Sequence, residues 1–176
     1  MIGLERSLFF STGYMANLAA VGSLGNRNSI IFSDKLNHAS LNEAAILSRA
    51  KLLRYNHLDL NHLENLIKGS LIKRKIIVTD GVFSMDGDIA DIPGLVYLCE
   101  KYHASLYIDD AHGYGVLGSS GQGILEYYED QGLISNQSKN FIIYMFTLGK
   151  SIGVSGAMLC AKKEVIEYCI QKSKPY

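Results

Sequence analysis

The sequence lacks an excess of either charge: Lys plus Arg number 17, Asp plus Glu number 17, and the formal net charge is zero. Such a balance leaves no electrostatic footprint for nucleic acid or an anionic membrane surface, so a partner is to be sought in a pocket. Proline is scarce, with two residues, and charged residues make up 19% against 48% hydrophobic, which excludes disordered and fibrous classes. Cysteine is scarce too. Cys99, Cys160 and Cys169 are odd in number, lack metal-ligand spacing and each falls in an apolar segment. They read as buried thiols of a reducing compartment, with no metal site. No apolar run approaches transmembrane length, and residues 1–10 lack the charged, apolar and small-residue order of a signal peptide. A cytoplasmic location is the default expectation. Internal repeats, low-complexity tracts and interdomain linkers are also missing.

What is present fits one domain, since 176 residues suffice to bury a sizeable core. Both ends read as cut mid-fold. Phe9 and Phe10 lead straight into Ser11-Thr12-Gly13, and a charged, helix-like run over 162–174 stops at Pro175-Tyr176. The expectation is a fragment or a split product.

Hydrophobic periodicity and turn residues predict helices over 14–24, 39–49, 59–68 (capped by Gly69) and 91–102. Strands are predicted over 29–32, 51–55, 75–79 and 104–108, with another in the apolar run Phe141-Ile-Ile-Tyr-Met-Phe146. The alternation argues for an α/β fold, a mostly parallel sheet between two layers of helices joined by right-handed crossovers. In open α/β sheets ligands bind beyond the carboxyl ends of the strands. Polar clusters fall at three of those ends, over 80–84, 109–115 and 147–153. No G-x-G-x-x-G or G-x-x-x-x-G-K-[ST] occurs between a strand and a helix, so a dinucleotide or P-loop site is not indicated.

Lys150 follows a strand apolar enough to be buried on both faces, in a glycine-rich turn. A lysine held there can be depressed from its usual value of ~10.4 and become a nucleophile or base. Alone, it reads rather as a loop lysine snorkelling off a strand end. Ser11-Thr12-Gly13 before the first helix could cradle a phosphate at a helix N-terminus, but taken alone it reads rather as a plain Ser/Thr cap. Company changes the reading. Asp109, directly at the end of an apolar strand, is a carboxylate that is costly there unless it faces a cation. An aspartate, a histidine and a lysine at adjoining strand ends, beside such a helix start, suit pyridoxal phosphate: the lysine holds the aldehyde, and the carboxylate keeps the pyridine nitrogen protonated.

The segments Asp109-Asp110-Ala111-His112-Gly113-Tyr114-Gly115-Val116-Leu117-Gly118, Gly81-Val82-Phe83-Ser84-Met85-Asp86-Gly87-Asp88 and Thr147-Leu148-Gly149-Lys150, with Gly153-Val154-Ser155-Gly156-Ala157, resemble the α-oxoamine synthases. These are pyridoxal-phosphate enzymes of the aspartate-aminotransferase fold (fold type I), and the resemblance covers nearly the whole chain. It implies that Lys150 is the Schiff-base lysine and Asp109 the partner of the pyridine nitrogen. His112 would bond the ring oxygen with Ser84 close by, Thr147 and the Gly13-Tyr14 backbone would hold the phosphate, and His38 would lie on the ring near the substrate. Asp80 has a supporting role.

Among the branches, the sequence is most similar to the one of biotin synthesis. That branch condenses L-alanine with a pimeloyl thioester, on acyl carrier protein or CoA, with loss of CO2. Two alternatives are another α-oxoamine synthase, such as 2-amino-3-ketobutyrate CoA ligase, and a non-catalytic α/β remnant. Family chains are longer homodimers. The resemblance therefore implies a cofactor-binding large domain over 1–176 that lacks an N-terminal segment and a C-terminal small domain, and that alone has little or no synthase activity.

Overall fold

The computed structural model describes residues 3–173; Met1, Ile2 and the 174–176 end of the charged run lie outside them. Seven strands form one sheet. In chain order the elements are β1 (Arg6–Phe10), α1 (Gly13–Leu24), β2 (Ser29–Asp34), α2 (Ala39–Leu47), β3 (Lys51–Tyr55), α3 (Leu60–Lys68), β4 (Arg74–Asp80), α4 (Ile92–Tyr102), β5 (Ala104–Asp109), α5 (Ile124–Glu129), a 3-10 turn (Ser138–Phe141), β6 (Ile142–Thr147), β7 (Ala157–Ala161) and α6 (Lys163–Lys172). The strand order is β1-β7-β6-β5-β4-β2-β3. β3, β2, β4, β5 and β6 pair in parallel, while β7 runs antiparallel to both β6 and β1.

Alternating side chains fill two cores, one on each face of the sheet. Ile30, Phe32, Ile77, Leu106, Ile108, Ile142 and Tyr144 pack on one face, with Leu63, Ile67, Leu95 and Ile124 of α3, α4 and α5. Ile31, Ile76, Val78, Tyr107, Ile143 and Met145 pack on the other, with Ala16, Ala20, Leu41, Ala45, Ile166 and Cys169 of α1, α2 and α6. The layers are therefore α/β/α. Each large apolar side chain fully buried this way contributes about 1.5–3 kcal/mol relative to an exposed one. The three cysteines are free thiols inside these cores, and burial pushes Cys160 and Cys169 up to about 11. No helix among the described residues is long and apolar enough to cross a membrane.

The strict alternation of strand and helix breaks once. Residues 148–156 between β6 and β7 are too few for a crossover helix, so β7 turns back antiparallel. That turn is closed by Leu148 N–H to the Gly156 carbonyl (2.8 Å) and Val154 N–H to the Leu148 carbonyl (3.0 Å). Helix α2 stops at Leu47, short of the expected 49, because Arg49 takes a left-handed conformation (φ 61°). Asp59 and Asp91 prove to be caps, accepting the His62 and Gly94 N–H groups, so their helices begin one residue later than the periodicity suggests. Phe141 closes the 3-10 turn and β6 begins at Ile142.

Candidate active site

Because β1, β2, β4, β5 and β6 all point the same way, their carboxyl ends share one edge of the sheet. A cavity of about 210 Å³ opens there, lined by Gly13, Tyr14, Asn17, His38, Ser40, Asp80, Ser84, Asp109, Ala111, His112, Met145, Thr147 and Lys150. All eight residues singled out in the sequence, Gly13, Tyr14, His38, Ser84, Asp109, His112, Thr147 and Lys150, thus face a single space.

Lys150 Nζ lies 2.6 Å from His112 Nε2. Two cations would repel at that distance, so one partner is neutral. Burial pulls the Lys150 amine below its usual value, while the charges of Asp109 and Asp80 resist. His112 is lowered as well, by burial first and then by the Lys150 charge. A neutral His112 with Nε2 as acceptor satisfies both.

Asp109 is buried yet bonded: Oδ2 accepts from Asn17 Nδ2 (2.7 Å) and Oδ1 from the Ala111 N–H (3.0 Å). Burial raises its pKa, and these two donors and the Lys150 charge oppose the rise. Asp80 is raised too, by burial and by the neighbouring Asp109, and accepts the His38 N–H at 2.8 Å. Asn37 staples the strand ends beneath, giving Nδ2 to Ser33 Oγ (2.9 Å) and the Val78 carbonyl (2.8 Å), and taking the Asp80 N–H on Oδ1 (3.0 Å).

Helix α1 starts at the cavity wall. Thr12 caps it, its Oγ1 taking the Met15 N–H (3.2 Å) and its carbonyl the Ala16 N–H (3.1 Å). Among the described residues the Gly13 and Tyr14 N–H groups take no partner, as expected of a helix start that can receive an anion. Cap and cradle therefore coexist, since they use different amides. Thr147 Oγ1 donates to the Gly156 carbonyl at 3.1 Å and accepts the Gly149 N–H at 3.3 Å, which shapes the turn that carries Lys150.

Ser84 sits in a turn held by Phe83 N–H to the Asp88 carbonyl (2.9 Å) and Gly87 N–H to the Phe83 carbonyl (2.8 Å). His57 braces that turn from below. Its Nδ1 meets Asp34 at 2.9 Å, its Nε2 meets Asp88 at 3.1 Å, and its ring stands edge-on to Phe83 at 4.4 Å. Sequence reasoning missed Asn17, Ser40 and His57. Asn17 lies inside a run read only for helical spacing, and its signal is a polar residue on the buried face of α1. Among the described residues, no group of three or more His, Cys, Asp or Glu side chains could hold a metal ion.

The arrangement offers an amine of lowered basicity, a neutral imidazole, a buried carboxylate and free helix amides around one space. A family model described as aminotransferase class I and II matches residues 2–176. The chain belongs to this family. Within the aminotransferase class I and II family, the 8-amino-7-oxononanoate synthase of Herminiimonas arsenicoxydans is 50% identical over 175 residues, covering 99% of this chain and 44% of the relative. The crystal structure of 8-amino-7-oxononanoate synthase from Francisella tularensis superposes with a TM-score of 0.82 at 37% identity, over 97% of this chain and 47% of that one. A variant of serine palmitoyltransferase from S. paucimobilis, solved with bound PLP-myriocin aldimine, superposes with a TM-score of 0.87 at 30% identity, over 99% and 42%. The chain thus spans less than half the length of the curated relatives it matches.

Proposed function

We propose that the cavity binds pyridoxal 5'-phosphate and serves as the cofactor half of an acyltransferase site. The reaction joins L-alanine to a pimeloyl thioester, giving 8-amino-7-oxononanoate with loss of CO2, as in biotin synthesis. The observation that carries this reading is the meeting of Lys150, Asp109, His112 and the unpartnered Gly13 and Tyr14 amides around one cavity. It is supported by identity of about half to proteins named for that synthase. A cytoplasmic location, a homodimeric full-length form and the assignment of 1–176 to the large domain belong to the same proposal.

The donor set fits the cofactor's chemistry: an amine for its aldehyde, a carboxylate for its ring nitrogen, and helix amides for its phosphate, to which the Thr147 hydroxyl would add on turning away from the Gly156 carbonyl. When bound, the cofactor supplies an electron sink for the carbanion formed at the amino acid's α-carbon. Lys150 Nζ would hold the cofactor and, as a free amine of lowered basicity, would be able to take the α-proton. His112, 2.6 Å away, accepts from the ammonium through Nε2 and steadies it between its two tasks. Asp109 keeps an acceptor edge toward a protonated ring nitrogen, because its two bonds to Asn17 and Ala111 favour the carboxylate. Ser84 and His38, which also line the cavity, would orient ring and substrate.

The test is to add pyridoxal phosphate, reduce with borohydride and map the adduct by mass spectrometry. Modification at Lys150 is expected, absent in Lys150→Ala. An unmodified Lys150 in the wild-type chain refutes cofactor binding and leaves a non-catalytic module.

A further inference from the structure

Asn17 lies fully inside the protein, where three of its hydrogen-bonding positions are filled. Its Oδ1 accepts from the Tyr107 hydroxyl (2.8 Å), and its Nδ2 donates to Asp109 Oδ2 (2.7 Å) and to Ser40 Oγ (2.8 Å). Ser40 Oγ lies in turn 2.7 Å from His38 Nδ1. Asn17, Ser40 and Tyr107 are buried, and the His38 ring at the end of the chain of bonds is exposed.

The direction of every bond follows from what each atom can do. Flipping the Asn17 amide would set its carbonyl oxygen against the Asp109 carboxylate, two acceptors at 2.7 Å, so Nδ2 faces Asp109. Burial pushes the Tyr107 phenol well above its usual value, so its hydroxyl stays a donor to Oδ1. Nδ2 has only hydrogens to give, so Ser40 Oγ is the acceptor from Asn17. The Ser40 N–H points at His38 Nδ1, at 3.3 Å. Ser40 Oγ has a second lone pair, so its contact with His38 Nδ1 is directed by the backbone: an Nδ1 that accepts the Ser40 N–H has no proton to give, and the Ser40 hydroxyl donates to it. A ring nitrogen receiving two donors cannot carry a proton itself.

We infer that Asn17 and Ser40 form a one-way relay that fixes His38 as the neutral Nε2–H tautomer and holds Asp109 as an acceptor. Both are positioning residues, acting through His38 and Asp109. The two groups assigned to the cofactor ring are thus set by one buried amide: a carboxylate that stabilises a ring proton, and a neutral imidazole that adds no like charge to it. The consequence for the ring rests on the function proposed above; the relay itself does not.

Long-range proton–nitrogen correlation on the 15N-labelled chain without cofactor reads the tautomer directly, with His38→Gln identifying the signals. The Nε2–H form is expected in the wild type. Ser40→Ala should shift the tautomer ratio toward Nδ1–H by about five-fold, the weight of one ordinary hydrogen bond, and Ser40→Thr, which keeps the hydroxyl, should restore it. The Asn17 side-chain amide protons should exchange slowly with solvent. A wild-type Nδ1–H tautomer, a Ser40→Ala ratio equal to wild type, or fast exchange at Asn17 overturns the relay. If Ser40→Ala does not fold, the wild-type tautomer decides alone. Because no cofactor is added, failure here leaves Lys150 labelling untouched, and failure of labelling leaves the tautomer untouched.

Discussion

Asp110 gives the sharpest test of the electrostatics. It is fully buried beside Asp109, where its Oδ2 accepts the Ile124 N–H at 2.8 Å and a short bond from the Tyr144 hydroxyl. Its Oδ1 takes no hydrogen bond among the described residues. Glycines crowd it on purpose-built sides: a Cβ at Gly81 would meet Oδ1 at 2.6 Å, and Gly123, held at φ 89°, leaves room for the carboxylate and the Tyr144 hydroxyl. Burial outweighs the bonds and raises the carboxyl to about 7, against ~3.9 in an unfolded chain. With the folded value above the unfolded one, the favourable contribution is complete below pH ~4 and is lost as pH rises through ~7. The slope is about 1.4 kcal/mol per pH unit, and the sum over three units is about 4 kcal/mol at most. Asp110→Asn keeps the shape and cannot ionise. Measured by urea denaturation from pH 4 to pH 8, the stability of Asp110→Asn minus that of wild type should climb by up to that amount and level off above pH 7. A difference flat with pH would refute the raised pKa, and one falling with pH would mean that the Tyr144 and Ile124 bonds outweigh burial.

Other expectations follow from single contacts. Asn17→Leu strands the Tyr107 hydroxyl, the Asp109 Oδ2 and the Ser40 side chain in the interior, and should cost about 2–5 kcal/mol in denaturation midpoint analysis. At His57 burial lowers the pKa, but Asp34 and Asp88 together raise it above the ordinary value. Its contribution is therefore complete below pH ~6.5 and disappears as pH rises through the folded value, so His57→Gln should destabilise more at pH 5 than at pH 9. Leu71 is 99% exposed, and Leu71→Ser should change stability by less than about 0.5 kcal/mol.

The layers of the fold are legible because the parallel strands carry their apolar residues in a form that periodicity detects, as in β4 and β6, and α3 and α4 have marked starts at Asp59 and Asp91. β7 and α5 were not legible. β7 is five small and apolar residues after a glycine turn, a pattern shared with loops, and α5 is a six-residue helix entered through a glycine with no side-chain cap. In the site, Lys150, Asp109 and His112 stood out because ionisable residues at the ends of apolar strands are expensive without partners. Asn17 and Ser40 did not, because a short polar residue within a helix carries no local sign of what it touches. Asn17 and Asp109 are joined only when the sheet brings α1 over the end of β5.

The same edge shows why a lysine belongs there. Four aspartates, Asp34, Asp80, Asp109 and Asp110, lie buried at the ends of β2, β4 and β5, and each is accommodated differently. Asp34 takes the Leu36 and Leu58 N–H groups and His57. Asp110 is shielded by Tyr144 and the Ile124 N–H and is raised toward neutrality. Asp80 takes one donor, the His38 N–H, and Asp109 takes two; both line the cavity, and they are the two whose charges hold the Lys150 proton against burial. If Asp80 and Asp109 were made neutral together, burial would act on Lys150 unopposed and its pKa would fall further. The carboxyl edge of this sheet thus gathers four acids, of which Asp80 and Asp109 line the cavity and keep acceptor capacity for a cation within it.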